Sequence, residues 1–559
     1  MYLFSSFLLA IEWLNPNHYP PWVNFHSETL TFVGLALLIF TSLGNKAATL
    51  SLPSIGIAAL LLASIPLAQY SLGLGFFRGD AFISAFFSIG LAAAIAVGYS
   101  QSLQSREQSG VIWLMPAQVL VVASAVSTLL AFLQWLALTD SISQFLAVTD
   151  VGDRAMANLG QPNQLATLLL MGLLGLLLLF ECFKLSKTVL VLGATLLTWG
   201  MVLTESRTVM LSALVVAMFM VYKSSTRRAA GGPLRLQVSD IAFWLGGFVA
   251  AASLLPEVNA ALLLGGVREG TLLDSSGRGT IWLQTLYAIK ASPWLGYGWN
   301  QTHIAHAAGA LYYPGDMLFG NAHNVVLDLL AWVGLPLGLF LTFGFGYWFY
   351  SRVRLVESTG AIYAMAMLVP FFVHSMLEYP FAYAYFLLMA GLLIGVVEAD
   401  CLTTRAYTVA KPAAAFTLAL MTAAGGYAAF EYVRVEEDYR VARFENLKVG
   451  TTPLEYARPD ILVHTQLAAL LTATRQPAVR NMTDVQMERL RKVSLRFGNR
   501  PLVYRYAVAL GLNGEPVAAA RQMVLFRGMY GERAYKAFST AFRTLQAEKY
   551  PELAAVMLP

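Results

Sequence analysis

From residue 3 to residue 430 the chain is a succession of apolar stretches long enough to cross a bilayer, and little else can be built from such a pattern. A span needs about 20 predominantly apolar residues. Candidates fall near 30–44, 53–72, 81–99, 111–138, 163–183, 188–204, 208–222, 239–256, 323–349, 361–378, 381–397 and 412–430. Residues 3–14 are apolar but too short to span comfortably, and they lack the basic start and small-residue cleavage site of a signal peptide. They read as a short or half-inserted first helix. Charge follows the same division. Residues 431–559 hold 19 Lys and Arg and 13 Asp and Glu, whereas the preceding 430 residues hold only 18 and 19. The expectation is an all-α polytopic membrane protein with about 12–13 transmembrane helices, followed by a soluble helical domain. The net charge of +5 is mixed with acids and lies in the tail, so nothing points to nucleic acid. Two cysteines, Cys182 and Cys401, exclude a disulfide framework and a cysteine-based metal site.

Orientation follows from the loop cations. One set of loops holds Lys46, Arg106, Lys184, Lys187, Lys223, Arg227, Arg228, Arg235, Arg352, Arg354, Arg405 and Lys411. The other holds Arg78, Arg154, Arg207, Arg268, Arg278 and Lys290, although it includes the long 257–322 loop. The richer set is assigned to the cytoplasm, which puts 257–322 and 431–559 outside, in the periplasm of a bacterial inner membrane. The tail has helical periodicity, with an Asn-Gly-Glu-Pro turn at 513–516 between two helices, and resembles a tetratricopeptide-type repeat. The domains are therefore 1–430, a transmembrane catalytic part with 257–322 as its large periplasmic loop, and 431–559, a periplasmic helical part.

Polar groups at the outer span ends carry the chemistry, because charge at a membrane boundary is costly without a use. Four segments stand out: DRAMANLGQPNQLA at 153–166, TESRT at 204–208, GRGTIW at 277–282 and NAHN at 321–324. A fifth, HSMLEYP at 374–380, puts His374 and Glu378 four residues apart, on one helical face. An Arg side chain is always charged, and its planar donors match phosphate oxygens in pairs. Three arginines and a His facing one compartment, against the positive-inside trend, suggest an anionic lipid-linked substrate and a titratable proton acceptor. The bland alternative for each is a headgroup contact at a span end. His303 and His306 have a one-turn spacing that could ligate a metal, but no zincin Glu follows and no acidic motif exists to hold a divalent ion. SPWLGYGWNQ at 292–301 could line a sugar site or form an interfacial Trp belt.

In this order the segments resemble the bacterial O-linked oligosaccharyltransferases of PglL type, the pilin-glycosylating branch of the O-antigen ligase and Wzy polymerase superfamily. The resemblance covers nearly the whole chain. PNHYPPWVNFHSE at 16–28 is similar to the family's first periplasmic loop, and NLGQPNQLA at 158–166 to its Gln-Pro-Asn motif. ESRT, GRGTIW, the Pro-Trp-Leu-Gly-Tyr-Gly run, NAHN and HSMLEYPFAYAYF follow in family order. The resemblance implies that His323 is the family's essential His, with Arg207 and Arg278 its two essential arginines on the lipid diphosphate. Arg154, Gln161, Asn163, His374, Glu378 and Tyr379 are the implied substrate-binding residues. It also implies a metal- and cofactor-independent glycosyltransferase, with His323 taking a hydroxyl proton at its Asn-flanked position and Asn321 or Asn324 fixing its tautomer. The reaction implied is en bloc transfer of a preassembled glycan from undecaprenyl diphosphate to Ser or Thr of a periplasmic protein such as a pilin, with inversion. Partners are then the lipid-linked oligosaccharide, the pilin-like acceptor and membrane lipid. The nearest competitor keeps the chemistry and changes the acceptor, as an O-antigen ligase on lipid A–core or a glycan polymerase. A polytopic transporter or flippase would place its polar residues near mid-membrane in two related halves.

Overall fold

A computed structural model describes residues 2–44, 49–108, 112–147, 149, 153–230, 232–264, 277–401 and 403–558. Lys46 and Arg268 of the charge comparison, and residues 265–276 of the long loop, lie outside the described residues. The chain is helical nearly throughout. Its described strands are Leu50–Pro53 and Ala406–Val409, which pair antiparallel with Leu50 opposite Val409. Among the described residues nine helices are long and apolar enough to cross a membrane, from Phe25–Gly44 to Lys411–Leu447. Tyr2–Leu14, Lys187–Leu203 and Thr359–Ser375 are apolar but shorter, and Ala384–Asp400 has the same length as the last two. This is a multi-pass membrane protein. Hydroxyls inside the apolar helices return to carbonyls one turn back, as in Thr31 to Ser27, Thr128 to Ser124 and Ser212 to Thr208. In lipid a hydroxyl has no water to bond, so it shares the backbone's own acceptors.

The chain packs as two compact units. The first comprises 1–61, 87–274 and 346–424. Its centre is the Pro162–Glu181 helix, which is buried along nearly its whole length between the Met115–Trp135, Lys187–Leu203, Arg207–Ala229 and Thr359–Ser375 helices. Small residues permit this closeness: a methyl at Gly98 would meet the Leu392 carbonyl oxygen at 2.1 Å, and one at Gly395 the Ile95 carbonyl oxygen at 2.4 Å. Association in lipid depends on such close contact, because tails are as apolar as the helices themselves. At the loop ends rich in Lys and Arg, Arg352 grips Glu398 in paired fashion at 2.5 and 3.0 Å, and Glu398 also accepts from Trp348 and Thr404. Lys223 is buried there and donates to the Arg354 and Val356 carbonyls at the end of the preceding helix.

The second unit comprises 62–86, 275–345 and 425–559. The Val325–Leu355 helix is broken at Gly334, whose φ of 78° and ψ of 172° leave the helical region. That break admits the 293–298 turn: Tyr297 and Gly298 donate to the Ala331 and Trp332 carbonyls, and Leu335 donates to the Pro293 carbonyl. Gly296 sits at φ +68°, where a side chain would strike Ala331 and Trp332. The tail helices start and stop as local rules require. Thr483 and Gln486 cap each other's backbone at the start of Asp484–Phe497, and Gly498 ends that helix in the left-handed conformation. Asn499 caps Arg500–Leu512, and the expected turn at 513–516 leads to Pro516–Glu548. The tail core includes Val503, Phe526, Met529 and Tyr530, which close over Ala307 and Ala310. Arg496 and Asp80 form a paired ion bridge at 2.8 Å, and Glu431 accepts the Leu462, Val463 and His464 amides.

Candidate active site

Each of the four segments places a residue of positive φ just before the start of a helix. Ala157 and Gly160, Glu205, Gly277 and His323 all have φ between 46° and 74°. A non-glycine residue in this region costs about 1–2 kcal/mol and persists only where neighbours hold it. The helices that follow begin at Pro162, Arg207, Arg278 and Val325. Arg207 and Arg278 are therefore the first residues of their helices, and neither helix has an acidic residue in its first turn. A cation there opposes the helix dipole, worth about 0.3–1 kcal/mol. Arginine plus helix N-terminus is an arrangement that an anion relieves.

In the first unit Asn163 is the junction. It stands in the first turn of the Pro162–Glu181 helix, where Gln161 is the extended cap residue and Pro162 the first helical residue. Its side-chain oxygen accepts from the Ser206 hydroxyl at 2.8 Å and from Arg154 Nη2 at 3.2 Å. Its amide donates to Glu378 Oε1 at 3.4 Å. Arg154 also donates through Nε to the Thr204 carbonyl at 2.6 Å, so it ties the 153–166 loop to the turn before Arg207. Ser206 caps the Arg207 helix by accepting from the Val209 amide. One turn after Asn163, the Thr167 hydroxyl lies 2.9 Å from His374 Nδ1. His374 and Glu378 do share a face, turned to the Pro162 helix, although the helix carrying them ends at Ser375. His374 is fully buried and Glu378 nearly so, whereas Arg154, Gln161, Asn163, Arg207 and Tyr379 are half-buried. Tyr379 begins a row of stacked rings, with Tyr383 at 5.9 Å and Tyr385 a further 5.5 Å on, and the Tyr385 hydroxyl donates to Gln164.

The loop between Gln134 and Pro162 is set by two buried amides that the sequence reading passed over. Gln134 accepts from the Met156 and Ala157 amides, and Asn158 donates to the Leu14 and Phe145 carbonyls. His18 of the 16–28 segment reaches the Asn158 carbonyl at 2.8 Å. Buried polar residues beside apolar spans were the available signal.

In the second unit Arg278 and His323 are half-buried. Asn324 uses its side-chain oxygen as the cap of the Val325 helix, accepting from Val326 and Leu327. The Trp-Gly run takes a packing role in part, with Trp299 against Trp332 at 5.3 Å, whereas Trp294 is exposed. His306 is fully buried against Phe319, 4.0 Å between ring centres, and its two ring nitrogens have no hydrogen-bond partner among the described residues. Burial pushes its pKa down to about 3. His303 is pushed to about 3 as well, by burial and then by Arg496 and His306. Both rings are neutral packing elements. Among the described residues no three His, Cys, Asp or Glu side chains group in a way that could hold a metal ion.

Three family models match the chain along these elements. A protein glycosylation ligase model matches 155–180, an O-antigen ligase model 192–343, and the C-terminal part of a virulence factor membrane-bound polymerase model 362–544. A general O-oligosaccharyltransferase of Acinetobacter baylyi is 29% identical over 544 residues, covering 94% of this chain and 92% of its own length. This chain is a glycosyltransferase, similar to the protein glycosylation ligases and O-antigen ligases. A ComP-specific O-oligosaccharyltransferase of the same organism is 27% identical over 394 residues, 70% of each chain. The O-antigen ligase match spans Arg207, Arg278 and His323, and the glycosylation ligase match spans Gln161 and Asn163. Apart from Arg154, the glycosyltransferase's two polar clusters, one in each compact unit, lie within the matched segments.

Proposed function

We propose that the enzyme transfers a preassembled oligosaccharide from undecaprenyl diphosphate to a Ser or Thr hydroxyl of a periplasmic, pilin-like protein. The observation that carries the reading is the position of Arg207 and Arg278, each the first residue of a helix with no acid in its first turn. Both are assigned the donor diphosphate, and Arg154, Gln161, Asn163, His374, Glu378 and Tyr379 are assigned to substrate binding. The acceptor oxygen forms a bond to the anomeric carbon while the bond from that carbon to the diphosphate oxygen breaks. The electron pair leaves with undecaprenyl diphosphate, whose growing charge the arginines stabilise. The hydroxyl proton passes to His323. Attack from the face opposite the leaving group inverts the anomeric centre, and the chemistry asks for no metal.

The loop charges favour a periplasmic active face in the bacterial inner membrane. The tail, 431–559, is assigned the choice of protein acceptor. The deciding experiment supplies purified enzyme with undecaprenyl-diphosphate-linked glycan and a pilin-like acceptor, and reads the product by mass spectrometry. Glycan on Ser or Thr is expected. Glycan only on lipid A–core, or only as a longer polymer, would give the reaction to the ligase or polymerase reading.

A further inference from the structure

Asp328 is an acid in the first turn of an apolar span, and it is fully buried. Its Oδ1 accepts two hydrogen bonds, from the Ala322 amide at 2.9 Å and from the Thr302 hydroxyl at 2.8 Å. Thr302 is itself held by the Trp332 indole N–H at 2.7 Å. Its Oδ2 is buried with no hydrogen-bond partner among the described residues. An asparagine would serve both donors through its one oxygen, without a charge to desolvate. The second oxygen and the charge therefore need another account, and the amide that Oδ1 holds belongs to the residue immediately before His323. The grip on Ala322 fixes the residue before His323, and the Asn324 cap fixes the residue after it. Between them His323 is held at φ 52°.

We propose that Asp328 is the positioning residue of His323: it holds the left-handed turn that aims the ring and supplies the countercharge when the ring gains a proton. This rests on the role given to His323 above. As the acceptor oxygen bonds to the anomeric carbon and the diphosphate departs with its electron pair, the hydroxyl proton moves to the imidazole. The ring becomes a cation beside the Asp328 carboxylate, then passes its proton to water or to the released diphosphate. No further reactant is needed. The logic is that of a buried carboxylate orienting a general base.

Asp328→Asn keeps the two hydrogen bonds to Oδ1 and removes the charge. Turnover should fall on the order of 10²-fold, with KM for the lipid-linked glycan unchanged within about two-fold. In a His323→Ala background the same substitution should cost nothing further, because a residue acting through another is non-additive with it. Thr302→Val, which removes one hydrogen bond from the carboxylate and leaves Asp328 in place, is the second variant and should lower turnover several-fold in the same non-additive way. Wild-type turnover in Asp328→Asn, or an equal further loss in the His323→Ala background for either variant, overturns the proposal. If His323→Ala itself turns over like wild type, the role of His323 fails, a different outcome read from a different protein.

Discussion

Asn163 is the residue whose removal should show most clearly whether the outer-end turns of the first unit work as one structure. Its carboxamide joins Arg154, Ser206 and Glu378, residues 9, 43 and 215 positions away. Asn163→Ala deletes all three bonds. The Ser206 hydroxyl is 1% exposed, so it loses its acceptor with no water to replace it. An unsatisfied buried donor costs about 1–3 kcal/mol. The bonds to Arg154 and Glu378 are longer, at 3.2 and 3.4 Å, and add about 0.5–1 kcal/mol each. The expected loss is about 2–5 kcal/mol of local stability, centred on the cap that precedes Arg207. That loss should appear as a lower midpoint of thermal unfolding in detergent and as accelerated hydrogen exchange at 203–209. Turnover per folded molecule should drop at least tenfold, because Arg207 is aimed by that cap. Asn163→Asp keeps the acceptor for Ser206 and Arg154 and should retain more stability than the alanine variant. Unchanged exchange at 203–209 together with wild-type turnover in Asn163→Ala would falsify the reasoning.

Four other outcomes are expected. Arg207→Ala and Arg278→Ala should be nearly inactive, and the Lys variants impaired despite the retained charge, because the planar pair of donors is lost; wild-type turnover in an Ala variant would reduce that residue to a headgroup contact. Below pH about 6.5 the unfolded chain protonates His306 while the folded one, with its pKa near 3, does not. Stability is thus complete above that pH and falls by about 2 kcal/mol at pH 5; His306→Leu should flatten the acid decline measured by hydrogen exchange in 302–310, and an unchanged decline would remove burial of this ring as its cause. Reporter fusions at Ala308 and Asn513 should score periplasmic and one at Arg228 cytoplasmic, whereas a cytoplasmic score at Asn513 would reverse the orientation. A strong chelator should leave turnover intact, and loss restored by a divalent ion would contradict the proposed chemistry.

What the sequence determined by itself is whatever depends on neighbours within a turn or two. Hydropathy over about 20 residues placed the spans, because the alternative for each segment is water. Pro162, Ser206, Thr483, Gly498 and Asn513 mark helix ends through their own backbone and side-chain chemistry. The motif order pointed to a glycosyltransferase, whereas the helical spacing read from His374 to Glu378 is cut short, because the helix ends at Ser375 and Glu378 lies beyond it. Tertiary structure alone decided which polar groups meet. That Asn163 would join Ser206 and Glu378, that Asp328 would hold Thr302 and Ala322, and that Asn324 would serve as a cap rest on side-chain contacts that no window of sequence contains. His303 and His306 show the same limit from the other side. Their spacing allowed a metal, but His306 is packed against Phe319, and burial pushes the pKa of both rings down to about 3. The tail reads as separate by composition, yet Phe526 and Met529 share one core with Ala307 and Ala310. Charge density reports how much of a segment meets water; it does not report what the segment's apolar face will cover.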